Sequence, residues 1–186
     1  ISYDFRHKAL WFRNYKVATR SIDHHLKSNC EPGEYIYSSA VGYNPSMYKN
    51  YFKFAFVRNP VGRFVSAWKD KVLKQNYFKF SDEQHQEMKK IGNFIRWVEH
   101  LDLEKCDEHL RAQYALIDLN HIDFLGRFES FEVDFSLVAE TLELESSPDV
   151  KLNTTQEIKT EISNANRDDV LNLYEKDVRI FYPELA

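Results

Sequence analysis

The segment from Tyr51 to Trp68 constrains the fold of this 186-residue chain more than any other. Its first part, YFKFAFVR, is the strongest strand pattern in the sequence, because its aromatic and apolar residues favour a buried strand. Asn59-Pro60 then predicts the start of a helix, since asparagine caps helix N-termini and proline suits the first helical position. Apolar residues at helical spacing follow, namely Val61, Phe64, Val65 and Trp68.

The same alternation of strand and helix patterns recurs along the chain. Strand patterns occupy residues 8–13, 35–41, 51–58 and 122–128, and helix patterns occupy 20–29, 59–68, 91–98, 107–117, 131–142 and 167–178. A polar segment over 146–157 is typical of a loop. This order predicts one α/β domain over residues 1–186, with a central parallel β-sheet flanked by helices. Because ligands bind beyond the carboxyl ends of such strands, we expect functional residues in 14–20, in 58–66 and after the 122–128 strand.

Composition and charge narrow the classes of function. The chain is 43% hydrophobic with a net charge of −4, which is typical of a globular domain and argues against a nucleic-acid binder. A polyanionic ligand would prefer a basic surface, so a neutral or small ligand is favoured. No apolar run is long enough to span a membrane, and no signal peptide opens the chain. We therefore expect a cytoplasmic protein without stable membrane insertion, or a protein of the Golgi lumen if an N-terminal anchor has been removed.

The two cysteines, Cys30 and Cys106, lie far apart and in no metal-ligand spacing. Two free thiols are the simplest interpretation of this pattern. The sequence therefore predicts neither a disulfide framework nor a metal site.

The strand pattern at 8–13 leads into the loop NYKVATRS, residues 14–21, and then into a helix. Backbone N–H groups at a helix N-terminus attract an anion, and the helix dipole adds to that attraction. Lys16 supplies a positive charge, and Thr19 and Ser21 supply hydroxyl donors. The loop lacks the glycines of a Walker loop, and its lysine comes first rather than last. The pattern therefore favours a phosphate site of another kind, the alternative being a surface loop with a solvated lysine.

Arg58 ends the buried strand, and Ser66 lies on the second turn of the helix that follows. A charged guanidinium at the end of a buried strand is unfavourable unless an anion meets it. A guanidinium and a nearby hydroxyl can bind one phosphate together. Arg58 and Ser66 are therefore candidates for a second phosphate site, the alternative being that Arg58 pairs with a carboxylate.

These two segments resemble the phosphate-binding motifs of sulfotransferases. Residues 16–21, KVATRS, are similar to the loop that binds the 5′-phosphosulfate of 3′-phosphoadenosine 5′-phosphosulfate (PAPS). Residues 58–66, Arg-Asn-Pro-x-x-Arg-x-x-Ser, are similar to the motif that binds its 3′-phosphate. In particular the first loop looks like that of the Golgi carbohydrate sulfotransferases related to the HNK-1 and chondroitin 4-O enzymes. The resemblance implies a P-loop-NTPase-like sulfotransferase fold, PAPS as co-substrate, 3′-phosphoadenosine 5′-phosphate (PAP) as product, and no metal.

The resemblance also assigns residues to the nucleotide. The 5′-phosphate contacts come from Lys16, Val17, Ala18, Thr19, Arg20 and Ser21. Arg58 and Ser66 hold the 3′-phosphate, while Arg63 braces the loop rather than touching the ligand. Lys151 and Asn153 lie where the family places a segment that closes over the nucleotide.

A third stretch extends the resemblance. Residues 108–113, EHLRAQ, precede IDFLGRFESFE at 122–132, and the same sulfotransferases carry a histidine followed by a strand of this form. Arg127 stands where lysine is usual, and Ala112 stands where proline is usual. The family position of His109 and the near-neutral titration of imidazole make it the first candidate for the general base. The alternatives are His24, His25 and Glu34.

The implied reaction is an in-line transfer of the sulfuryl group of PAPS to a hydroxyl of a carbohydrate-like acceptor, with Lys16 stabilising the leaving 5′-phosphate. The acceptor stays open among a glycan, a lipid-linked sugar and a small metabolite, and the sequence does not specify the oligomeric state. A kinase is one alternative, and it would need a glycine-rich Lys-Ser/Thr loop and a Mg²⁺-binding aspartate. A non-catalytic PAPS- or PAP-binding module is another, against which the intact Lys16, Arg58 and Ser66 argue.

Overall fold

A computed structural model describes residues 1–38, 43–145 and 162–185. In this part of the chain the strands are β1 (Ser2–Asp4), β2 (Ala9–Phe12), β3 (Tyr35–Tyr37), β4 (Phe52–Val57) and β5 (Phe124–Arg127). The α-helices are α1 (Thr19–Ser28), α2 (Pro60–Trp68), α3 (Asp82–Met88), α4 (Ile91–Val98), α5 (Phe131–Thr141), α6 (Asn164–Leu173) and α7 (Glu175–Phe181). No helix in the described ranges is both long enough and apolar enough to cross a lipid bilayer.

The strands form one mixed sheet in the order β3-β1-β2-β4-β5. The predicted parallel pairing is confirmed for β2, β4 and β5, whereas at one edge of the sheet β1 runs in the opposite direction and pairs antiparallel with both β2 and β3. The connection over residues 5–8 explains the difference, because so short a link joins β1 and β2 only as an antiparallel hairpin. The three parallel strands, β2, β4 and β5, are therefore the ones whose carboxyl ends come directly before the predicted site segments.

Internal contacts divide the chain into two compact units. The first comprises Ile1–Val57 and Leu116–Gln156, and the second comprises Arg58–Ala115 and Glu157–Ala186. In the first unit, the buried core is formed by side chains of the sheet, α1 and α5, including Trp11, Ile22, Leu26, Phe54, Phe56, Phe131 and Val138. In the second, helices pack around Phe64, Trp68, Phe94, Ile95, Val98, Leu110 and Tyr174. The prediction of one domain over residues 1–186 stays a prediction.

The helix predicted over 107–117 is wrong. Residues 113–116 form only a short 3₁₀ turn. The backbone N–H groups of Gln113 and Tyr114 donate to the Asp177 carboxylate at 2.8 and 2.9 Å, and that of Ala112 donates to the Leu103 carbonyl at 2.8 Å. Tertiary partners therefore replace the i→i−4 bonds that a helix would need.

Two other boundaries differ from expectation. The helix predicted over 167–178 is broken at Tyr174, whose φ of −107° and ψ of 31° separate α6 from α7. The strand predicted over 35–41 ends at Tyr37 in the described residues, and residues 39–42 lie outside them. The predicted loop over 146–157 also lies outside the described residues.

Candidate active site

The loop between β2 and α1 is held in a left-handed backbone conformation at two positions. Lys16 has φ 70° and Ala18 has φ 63°. This region is unfavourable by about 1 to 2 kcal/mol for each residue that carries a Cβ. Such strain clusters at ligand-binding turns, although single left-handed residues also occur elsewhere in this chain, at Lys8, Lys79 and Glu143. Tight turns of this kind direct successive N–H groups to one side and make concave anion sites. The Lys16 loop thus contains two left-handed residues of the kind that such anion sites use, without any glycine.

Three side chains hold the Lys16 loop to its unit. Asn14 is buried, and its amide donates to the Phe56 carbonyl at 2.9 Å. The Thr19 hydroxyl donates to the Asn14 carbonyl at 2.9 Å, and Val17 is buried in the core. The Thr19 hydroxyl therefore uses its proton to brace the loop, whereas the sequence had suggested that this hydroxyl donates to a phosphate. Val17 can offer a ligand only its backbone.

The N-terminus of α1 has no side-chain cap among the described residues. Its N-cap is Ala18, which carries no acceptor atom. The first N–H groups of a helix need partners that the helix itself cannot supply, and the dipole makes an anion a favourable partner. Arg20 is exposed and Ser21 is half-buried on this first turn. The helix end is therefore suited to a phosphate, with cationic and hydroxyl side chains on the same turn.

The second anion-binding candidate begins at Arg58, in the second unit. Asn59 caps α2, accepting from the N–H groups of Val61 at 2.9 Å and Gly62 at 3.3 Å. The Arg58 guanidinium lies over Gly62, where an added Cβ would be 3.2 Å from Arg58 Nε. Ser66 is half-buried one turn further along α2, on the face that Gly62 occupies. The structure thus brings the Arg58 guanidinium and Ser66 to one face of a helix.

Lys69 is a further cation of this face that sequence reasoning missed. It lies three residues after Ser66, where α2 continues into a π-helical turn over residues 69–73. Burial and the positive charge of Arg58 lower the pKa of Lys69 below its ordinary value. An anion bound beside Lys69 and Arg58 would offset this repulsion between their positive charges. The pattern that could have revealed Lys69 is the helical spacing of residues 62, 66 and 69.

The backbone of Arg58 is clamped on both sides by Gln113. The Arg58 N–H donates to Gln113 Oε1 at 2.9 Å, and Gln113 Nε2 donates to the Arg58 carbonyl at 2.9 Å. Gln113 is fully buried, and its own N–H is held by the Asp177 carboxylate of α7. Arg58 is therefore fixed through two buried links to the last helix of the unit.

Two neighbouring residues clarify the sequence pattern. Arg63 is 2% exposed, and its guanidinium donates to the Glu108 carbonyl at 3.2 Å, in agreement with a bracing role. Ala112 stands where the resembling enzymes carry proline, and its N–H donates to the Leu103 carbonyl. A proline could not make this bond, so the departure adds a hydrogen bond to the turn before Gln113.

His109 is oriented by a carboxylate in the second unit. Its Nδ1 lies 2.8 Å from Asp107 Oδ1 and its ring packs edge-on against Tyr77. The Tyr77 hydroxyl donates to the other oxygen of the same carboxylate at 3.1 Å. Burial opposes ionisation of Asp107, but donation from the His109 N–H and ring outweighs it and lowers the pKa of Asp107. An ionised Asp107 holds the proton on Nδ1, which makes Nε2 the basic nitrogen of His109.

The alternative base candidates have different surroundings. His24 is exposed on α1, whereas His25 is buried edge-on against Phe135. Burial, and secondarily the charge of His24, lowers the pKa of His25, so His25 belongs to the core. Glu34 precedes β3 and lies beside the Asp4 end of β1. That end of the sheet is opposite to the end from which the Lys16 loop emerges, so the structure does not bring Glu34 to Lys16.

Two further predicted residues, Lys151 and Asn153, lie outside the described residues. Arg127 ends β5, as expected for a residue at the carboxyl edge of the sheet, and its N–H donates to the Asp134 carboxylate at 2.7 Å.

Comparison with known proteins identifies the family to which the chain belongs. A model described as the sulfotransferase family matches residues 3–183. The chain is similar to carbohydrate sulfotransferase 14 of Homo sapiens, with 28% identity over 108 residues, which are 50% of this chain and 29% of the relative. It is 33% identical over 110 residues to carbohydrate sulfotransferase 14 of Danio rerio, covering 50% of this chain and 30% of the relative.

The matched region is therefore less than a third of the length of these relatives. No solved structure matches the chain. The family model nevertheless covers nearly all of it, including both segments described above. The chain belongs to the sulfotransferase family.

Proposed function

We propose that this protein transfers the sulfuryl group of PAPS to a hydroxyl of a carbohydrate-like acceptor. The observation that carries the proposal is the Lys16 loop, in which two left-handed residues precede a helix N-terminus that no described side chain caps. Such a loop is suited to the 5′-phosphate of the nucleotide. The acceptor class is supported by the names of the relatives, which are carbohydrate sulfotransferases.

The 3′-phosphate is the group that distinguishes PAPS from other adenine nucleotides. Arg58, Ser66 and Lys69 lie along one face of α2 and the π-helical turn that extends it, and they offer a guanidinium, a hydroxyl and an ammonium. These are the donor types that bind phosphate most strongly. We assign the 3′-phosphate to this face and the 5′-phosphosulfate to the Lys16 loop.

The transfer breaks the S–O bond to the 5′-phosphate and forms an S–O bond to the acceptor oxygen. The bonding electrons stay on the phosphate oxygen, so negative charge grows there as PAP forms, and Lys16 with the N–H groups of residues 17–20 stabilises it. The acceptor proton passes to His109 Nε2, with Asp107 stabilising the imidazolium. His109 thus acts as the general base in this scheme.

Calorimetric titration with PAP, ADP and AMP in metal-free buffer tests the donor assignment. We expect PAP to bind at least about tenfold more tightly than ADP or AMP, since one extra charge-assisted phosphate contact contributes about 1.5 to 3 kcal/mol. Equal binding of the three nucleotides, or a requirement for Mg²⁺, would refute the proposal and favour a kinase. Tight PAP binding without sulfation of any hydroxyl in a broad acceptor panel would favour the binding module.

Two variants separate the roles of the phosphate sites. Lys16→Ala should lower kcat by about 10²-fold or more, because a donor to developing charge is lost. Arg58→Ala should mainly raise the Kd for PAP, by about 10- to 100-fold. Lys8→Ala is the matched control, since Lys8 is also a left-handed lysine (φ 52°) but precedes β2 instead of following it. If Lys16→Ala behaves like Lys8→Ala, the 5′-phosphate assignment is wrong.

A further inference from the structure

The turn between β1 and β2 brings three metal-ligating side chains together at the end of the sheet away from the Lys16 loop. Asp4, His7 and Cys30 each offer one ligand atom, and these atoms lie within 4.8 Å of one another. The His7 Nδ1 is 2.8 Å from Asp4 Oδ2, and Cys30 Sγ is 3.9 Å from the same nitrogen. Sequence spacing concealed this group, because Cys30 follows α1, far along the chain from the other two.

We propose that Asp4, His7 and Cys30 form a zinc site with a fourth position open to water. Zn²⁺ prefers carboxylate, imidazole and thiolate ligands in tetrahedral geometry. Bond lengths of about 2.0 to 2.3 Å place ligand atoms of a tetrahedral site about 3.3 to 3.7 Å apart. The Cys30–His7 separation already lies close to this range. The Asp4–His7 hydrogen bond must open by about 0.5 Å as the metal replaces its proton.

The charges of the group favour a divalent cation. Asp4 is 2% exposed, and the His7 backbone N–H donates to its Oδ1 at 2.9 Å. A cation bound at Oδ2 would replace the His7 ring as the partner of this buried carboxylate. Binding converts the Cys30 thiol to a thiolate whose proton passes to solvent, and it needs the His7 tautomer with the proton on Nε2. The two negative ligands then neutralise Zn²⁺. His7 and Cys30 are only partly buried, so the ion can reach the site from solvent.

A second Asp–His turn in the chain shows that such a turn does not need a cysteine in order to form. Asp118 and His121 repeat the Asp-x-x-His spacing, with Nδ1 2.7 Å from Oδ2. Within the described ranges no cysteine or further acid joins that pair to complete a ligand group. An Asp–His turn therefore forms without a thiol, and Cys30 is what converts the first turn into a three-ligand group.

The site would join the β1–β2 hairpin to the end of α1, within one unit. It lies at the amino end of β2, whereas the Lys16 loop follows the carboxyl end. The zinc site is therefore separate from the segments assigned to the nucleotide and does not depend on the proposed sulfuryl transfer.

Zinc content and cobalt spectroscopy on the tag-free 186-residue chain test the proposal. After equilibration with excess Zn²⁺ and dialysis, we expect about one equivalent bound. Co²⁺ should give a thiolate-to-cobalt charge-transfer band. Cys30→Ala should lose the band and weaken binding at least about tenfold, since even outer-shell changes cost that much. Cys106→Ala is the matched control, because it removes the other free thiol and should keep both signals.

The histidines give a second, independent comparison. His7→Gln should weaken binding at least about tenfold, whereas His121→Gln should leave the affinity unchanged. This pair decides the question if Cys30→Ala fails to fold, as judged by circular dichroism. Absence of a stoichiometric ion in the wild type, or equal affinities of His7→Gln and His121→Gln, would overturn the zinc site.

Discussion

Replacement of Gln113 by methionine tests how the fold holds Arg58 in place. Methionine keeps the length and volume of the glutamine side chain but removes its carbonyl acceptor and its amide donor. The Arg58 N–H and carbonyl each lose a 2.9 Å hydrogen bond at a residue that is fully buried. The Asp177 bond to the backbone N–H of residue 113 stays possible, so the perturbation is confined to the clamp on Arg58.

The magnitude follows from these two bonds. A buried polar group that loses its partner costs about 1 to 3 kcal/mol, so the two together should lower the free energy of unfolding by about 2 to 6 kcal/mol. For a chain of this size, each kcal/mol shifts Tm by about 2 to 4 °C, so Tm should fall by at least about 4 °C. Because the guanidinium is positioned by its backbone, the Kd for PAP should rise about tenfold or more.

Differential scanning fluorimetry and PAP calorimetry measure the two effects separately. Gln75→Met is the matched control, since Gln75 is exposed and its replacement should change neither quantity. An unchanged Tm for Gln113→Met would refute the argument that the clamp stabilises the fold. A lowered Tm with unchanged PAP affinity would refute the link between the clamp and the phosphate site.

Three further predictions concern helix packing, the base and a buried histidine. Gly62→Ala should weaken PAP binding, because the added Cβ would lie 3.2 Å from Nε of the overlying Arg58 guanidinium. Gly92→Ala in α4 is the control, since its Cβ would make a similar contact at 3.3 Å, but with Asn166 Oδ1, and should leave PAP affinity unchanged. Equal PAP affinities of the two variants would contradict this prediction. His109→Gln should lower kcat by about 10²- to 10⁴-fold and remove the acidic limb of the pH–rate profile. Asp107→Asn should lower kcat with little change in KM. If the acidic limb persists in His109→Gln, His109 is not the general base. Burial lowers the pKa of His25, so the unfolded chain binds that proton more readily and stability is lost as pH falls below about 6.5. His25→Leu should flatten Tm between pH 5 and 7, and an unchanged pH slope would contradict the assignment.

Local patterns were sufficient for most elements near the site. Asn59-Pro60 predicted the start of α2, and the structure shows the Asn59 cap that the pattern implies. The loop at Lys16 was also located from sequence, because a lysine-bearing segment between a strand and a helix is a local arrangement. By contrast, the helix predicted over 107–117 was wrong, because residues distant in sequence take up its backbone N–H groups.

Several site features depend on partners that no local pattern contains. The Thr19 hydroxyl is a plausible phosphate donor in sequence, yet it closes the loop onto Asn14. Asp107 becomes the orienting carboxylate of His109 only because the turn directs it back onto the ring, where Tyr77 also reaches it. These roles follow from side-chain direction, which spacing in a non-helical segment does not specify.

The sequence by itself determined the α/β class and the family, and it located the two candidate phosphate-binding segments, because each is encoded in contiguous residues whose hydrophobic period and capping chemistry are local. Only the tertiary structure decided what holds those residues in place. Gln113 clamps Arg58 across 55 positions of the chain, and Asp177 holds Gln113 across 64. Cys30 likewise meets His7 at a separation of 23. Such contacts arise when the chain folds back on itself, and a buried hydrogen bond specifies its partner by position in space rather than by distance along the sequence.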